Sequence, residues 1–196
     1  MPKYVDHVQR RREVAEVAAG LVVEGGRAAL TVRAVADAAG HSTTVVSHYF
    51  ADVDELLYET YQIAVHRSRK RIQEVLDADP ADIAGLADAV LPLDSTRKAD
   101  WRIWLAFWGE ALGNASLAAE QRARARHTAE RFAGCLQLLV ERGAVASDVD
   151  LVATANRMVA LVLGIAAEAT FDPKRWTGPV QRAAFRAELD AIGLAR

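Results

Sequence analysis

Apolar residues recur along most of this 196-residue chain at intervals of three and four, the period of a helix face, and no sustained run alternates as a strand would. The clearest short cycle runs from Thr31 to Phe50. Val32, Val35, Ala36 and Ala39 fall at i, i+3, i+4 and i+7 and predict a short helix, with Thr31 placed to accept a hydrogen bond from the amides ahead of it. Gly40 ends that helix because only glycine takes the left-handed conformation cheaply. Ser42 then caps a second helix. Its Val46, Tyr49 and Phe50 turn inward and leave Thr43, Thr44, Ser47 and His48 on the opposite face.

The same spacing predicts helices before and after this pair. Residues 8–25 form an amphipathic helix with Val14, Val17, Ala18, Leu21 and Val22 inward, ended by Gly25 and Gly26. Asp52 caps a long helix over 53–77, roughly 37 Å at 1.5 Å per residue, with Leu56, Leu57, Tyr61, Ala64, Ile72 and Leu76 along its buried side. Pro80 opens a helix ending near Pro92, and further helices cover 95–114 and 115–142. Asp148 caps an apolar helix over 149–170, and Pro179 lies in the first turn of a last one to about 192. The prediction is an all-α chain of about nine helices, with a helix-turn-helix domain over 1–52 and a second helical domain over 53–196.

Two short helices joined by a tight turn, the second exposing small polar side chains, suit the reading of a DNA groove. The plainer alternative is a helical hairpin packed in a core. The run Thr31 to Phe50, followed by Asp52 to Leu57, resembles the operator-binding domain of the TetR (tetracycline repressor) family, and Ser47-His48-Tyr49-Phe50 looks most like the choline-responsive betaine-synthesis repressor branch. The resemblance implies a homodimeric, ligand-controlled transcriptional regulator that binds double-stranded, palindromic operator DNA. Two positions depart from the family pattern: His41 stands where a small apolar residue is usual, and Val53 where a lysine is common. The second change removes one phosphate contact.

On this reading Thr43 and Thr44 contact base edges, Thr31, Arg33, Ser42, His48 and Tyr49 contact the phosphate backbone, with a wholly structural Tyr49 as the alternative, and Ser47 belongs to the same DNA-binding face. Whole-chain charge says little about DNA, being −2 overall, and the first 51 residues carry six basic against five acidic residues. Its distribution says more. Arg10, Arg11, Arg12 and Arg33 are candidate phosphate contacts, whereas Arg67, Arg69, Lys70 and Arg71 read as the solvated face of a long helix.

The hydrophobic share of 52% supplies a core, and the single cysteine, Cys135, reads as a small packed hydrophobe. Met1 to Arg12 has no apolar signal core, and the apolar run Met158 to Ala167 is too short to span a bilayer, which predicts a cytoplasmic protein without membrane contact. Its five histidines show no metal-ligand spacing, and neither a glycine-rich phosphate loop nor a nucleophile elbow is present, so neither metal, cofactor nor catalysis is expected.

In the second domain Trp101, Trp104 and Trp108 stand at i, i+3 and i+7, with Ile103 and Phe107 elsewhere around the helix. Such a row is either core or the wall of an effector cavity. With Glu110 it would suit an unidentified small molecule, a cation among the options. The resemblance places this helix beside the family's effector cavity. The helix over 149–170 is apolar nearly all round, so Leu151, Ala155, Met158, Val162 and Ile165 predict a homodimer seam, eased by small Ala160, Gly164 and Ala167, or else a central core helix. The competing functional reading is a helical small-molecule-binding or scaffold protein without operator binding.

Overall fold

The computed structural model describes residues 7–194. Among the described residues every regular element is a helix: α1 His7–Ala29, α2 Val32–Ala39, α3 Thr43–Tyr49, α4 Val53–Ala78, α5 Ile83–Val90, α6 Ser95–Ala111, α7 Ala115–Glu141, α8 Leu151–Phe171 and α9 Gly178–Ala191. Most boundaries fall where the sequence places them, and the exceptions follow from which side chain caps each end. Gly26 kinks α1 by taking φ 67°, so one more turn follows it before Leu30. α5 starts after Asp82, whose carboxylate accepts from the Gly85 amide at 2.7 Å, and Pro80 lies in the turn before it. α6 stops at Ala111, and Asn114 instead receives the Ser116 and Leu117 amides at the head of α7. The cap of α8 is Asp150 rather than Asp148, because its carboxylate is the one that meets the Ala153 amide, at 2.9 Å.

The chain divides into two compact units. The first contains the chain through His66 together with Arg102–Leu117. Its core is built from Val14, Ala18 and Val22 of α1, Val35 of α2, Val46 and Phe50 around α3, and Leu56, Leu57 and Tyr61 of α4, all fully or nearly fully buried. The second segment joins because Phe107 stacks on Tyr61 with centroids 3.8 Å apart and planes at 11°, and Glu110 lies 3.5 Å from Arg27. Ile103 and Phe107 are as buried as the tryptophan row, so α6 has core on more than one side.

The second unit comprises Arg67–Trp101 and the chain from Ala118 onward. Its least ordinary feature is a buried charge. Asp100 is fully buried and is held by Arg67 at 2.6 Å and Arg71 at 2.9 Å, while Arg71 also donates to the Ala89 carbonyl. Burial pushes the Asp100 carboxyl above its ordinary value, and the two guanidiniums offset only part of that rise. The next residue, Trp101, donates its indole N–H to the Val90 carbonyl at 2.7 Å. Further out, Phe132 meets Phe185 and Arg182 pairs with Asp88 at 2.7 Å, fixing α9 to α7 and α5.

α8 is apolar and long enough to cross a bilayer by composition, but Ala155, Met158, Val162, Ile165 and Ala169 are buried in this unit, as in a core helix. Cys135 is buried too, and desolvation pushes its thiol up to about 11. Alkylation by iodoacetamide at pH 8 should therefore be very slow in the folded protein and become rapid in denaturant. A native rate close to that of the denatured chain would contradict this burial.

Candidate nucleic-acid interface

α2 and α3 have 8 and 7 residues, too short to be stable alone, so their ends are secured locally. Thr31 Oγ1 accepts from the Ala34 amide at 3.1 Å and Ser42 Oγ from the Val45 amide at 3.4 Å. Between them Gly40 takes φ 66°, ψ 32°, and the His41 amide returns to the Ala36 carbonyl at 2.9 Å. The turn throws Val46 into the core and leaves Thr43, Thr44, Ser47 and His48 exposed. Arg33 is 88% exposed, with Asp37 at 3.9 Å as a loose neighbour on the same face. Tyr49 is half-buried. Its hydroxyl lies 3.2 Å from His7 Nδ1, and the His7, His48 and Tyr49 rings cluster with centroids 5.2–6.1 Å apart.

The arginine trio near the start of α1 is not a uniform phosphate contact. Arg12 is exposed and reaches Glu16. Arg10 Nη1 lies 3.1 Å from His41 Nε2, which gives the unusual turn residue a partner on α1. Arg11 is turned inward: Nη1 donates to the Tyr49 carbonyl, Nη2 donates to Glu55 and Glu59 at 2.7 Å each, and the guanidinium carbon lies 4.5 Å from the Phe50 ring centroid. Three of the Arg11 donor positions are thus engaged by the protein itself, unlike those of exposed Arg12. The Ala51 amide, followed by Arg11, holds the Glu55 carboxyl below the usual carboxylate range. His7 beside Tyr49, and the bonding role of Arg11, were missed for the same reason: their partners lie 38 to 48 positions away, and no short-range pattern carries that pairing.

Residues 15–60 match the model of the bacterial regulatory proteins, tetR family, and residues 80–194, more than half the chain, match the BetI-type transcriptional repressor C-terminal model. The chain belongs to the TetR family. It is a DNA-binding transcriptional regulator and not an enzyme, of a family that acts on operator DNA as homodimers under small-molecule control. Similar curated proteins include the HTH-type transcriptional regulator PksA of Bacillus subtilis, 27% identical over 89% of this chain and 85% of that protein. The HTH-type transcriptional regulator BetI of Paraburkholderia phytofirmans is 28% identical over 76% of this chain and 88% of its own length. Among solved structures, a Rhodococcus transcriptional regulator superposes with TM-score 0.82 at 24% identity, covering 93% of this chain and 95% of that one. A putative regulator from Saccharomonospora viridis in complex with choline gives 0.79 at 20% identity, covering 93% and 96%.

In this TetR-family chain the predicted effector residues are not equivalent. Trp101 is fully buried with its N–H bonded to Val90, so it is core and not an open cage wall. Trp104 is buried, Trp108 is half-buried, and the Glu110 carboxylate faces Arg27. Four of the five residues expected at the dimer seam lie inside the protomer. Ala155, Met158, Val162 and Ile165 are at most 3% exposed within one protomer, because that side of α8 fills its own core. Only Leu151 of the five is partly open. The open side of α8 is the row Val152, Asn156, Ala160, Gly164, Ala167 and Phe171, with Val152 and Phe171 68% and 79% exposed. On α9 a groove of about 430 Å³ is lined by Pro179, Arg182, Ala183, Arg186, Ala187 and Asp190.

Proposed function

We propose that this regulator is a repressor whose two protomers set their α3 helices about 34 Å apart in successive major grooves of a palindromic operator, and that a small molecule releases it. The observation that carries the reading is the exposed threonine-bearing face between two satisfied helix caps. Thr43 and Thr44 offer donor, acceptor and methyl to base edges. In Thr31 and Ser42 the cap occupies a lone pair of the hydroxyl and leaves its proton for a phosphate oxygen. Arg33 supplies charge, and Ser47, His48 and Tyr49 complete the backbone contacts. A DNA partner requires a cytoplasmic protein.

The homodimer seam in this proposal is the open row on α8 from Val152 to Phe171 with the outer face of α9. Small Ala160, Gly164 and Ala167 permit close helix approach, and the end residues contribute apolar area. The effector acts through α4, which is common to both units. A quaternary ammonium is the first compound to test, given the choline complex of a structural neighbour. Trp104 and Trp108 supply the ring faces, while Glu110 contributes less than a free carboxylate because Arg27 faces it.

Selection of bound DNA from a random pool, with and without choline, tests class and direction together. Palindromic sequences should be recovered, and recovery should fall with the effector. On the selected site, Thr44→Ala should change preference at one base position by roughly 1–3 kcal/mol. Arg33→Ala should weaken every sequence alike and reduce the salt slope of log affinity by about 1. A mobility-shift titration in which neither variant differs from the parent refutes the residue assignment.

A further inference from the structure

We propose that Arg11 is the positioning residue of the DNA-reading helix, the group through which α1 and α4 together fix the C-terminal end of α3. The proposal rests on the DNA-binding reading and adds to it a residue that never touches DNA. α3 has fewer than two full turns, and its last carbonyls have no partner within the helix. Arg11 Nη1 donates to one of these, on Tyr49, and Nη2 donates to Glu55 and Glu59 at 2.7 Å each. The guanidinium also lies over the Phe50 ring. Glu55 then returns to the chain after α3 by accepting from the Ala51 amide at 2.7 Å. One planar side chain thus joins three helices at the point where α3 gives way to α4.

This geometry requires arginine specifically. Guanidinium has several donors in a fixed plane and a face that stacks on an aromatic ring, whereas a lysine ammonium is a point charge that would meet the carboxylates or the carbonyl without holding the plane. Thr43 and Thr44 read bases only if α3 keeps its angle, and among the described residues neither hydroxyl has a partner in the chain that could hold it. Any movement of the first turns of α4 shifts Glu55 and Glu59, and through Arg11 it shifts the end of the reading helix as well.

The test compares the full-length parent, R11Q, R11K and E59Q on the selected operator and on unrelated DNA, by fluorescence anisotropy across a salt series, well below each variant's melting temperature. R11Q and R11K should both lose specific affinity by roughly tenfold or more, with unrelated DNA bound as by the parent and the salt slope unchanged. E59Q should weaken specific binding in the same way, and adding it to R11Q should cost less than the two single losses combined. The proposal is overturned if R11Q reduces the salt slope by about 1, as a phosphate contact would, or if R11K binds the operator like the parent. Should R11Q fail to fold, parent-like specific binding by E59Q overturns it. A parent that binds no DNA removes the underlying reading as well, which separates that failure from a parent that binds while both Arg11 variants match it.

Discussion

Replacing Trp101 by alanine is expected to lower stability by about 4 kcal/mol, because a fully buried indole is removed and a cavity remains. In a chain of this size that corresponds to a fall in melting temperature of roughly 8–16 °C, measurable by scanning calorimetry. Trp101→Phe refines the test. It keeps most of the volume but leaves the Val90 carbonyl without its donor, a loss of about 1–2 kcal/mol. Effector titration of this variant should match the parent, since Trp101 faces the core. If Trp101→Phe instead abolished the response to effector while leaving stability intact, the residue would be a cavity wall after all.

The second large effect is expected at Asp100. Asparagine keeps the shape but not the charge, and its amide nitrogen is one more donor aimed at guanidinium donors. Loss of one partner from a buried ionic junction costs about 3 kcal/mol, chiefly because the remaining charges stay partly desolvated. Arg71, the less exposed of the two arginines, also retains its bond to Ala89 and cannot swing away freely. Urea denaturation should show a lower midpoint with an unchanged slope. A midpoint equal to the parent's would mean that the arginines find water at no cost and that the junction contributes nothing to the fold.

The helical period carried the fold because helix patterning is local. Val32 to Ala39 with Gly40, and Ser42 with Val46, give the helix-turn-helix from adjacent residues alone, and the structure places them as that spacing requires. Faces were legible only where one side of a helix is polar. α8 is apolar nearly all round, so periodicity could not separate the core side, with Met158 and Val162, from the open side, with Ala160 and Gly164. The tryptophan row of α6 was ambiguous in the same way, since Ile103 and Phe107 are buried on other sides of the same helix. Charge was the least legible. Arg11 and Arg12 are neighbours in a basic run, yet one stitches three helices together and the other lies in solvent, and the difference is set by Glu55 and Glu59 more than forty positions away.

The exposed side chains of Thr43, Thr44 and Arg33 support little of the headpiece in which they sit, and substitutions at such positions usually change stability by no more than about 0.5 kcal/mol. Gly40, Val46 and Arg11 carry the architecture instead. On the proposed DNA contacts, recognition and foldability fall to different residues, so descendants of this chain could drift toward new promoters by exchanging a few surface letters while the scaffold stays intact.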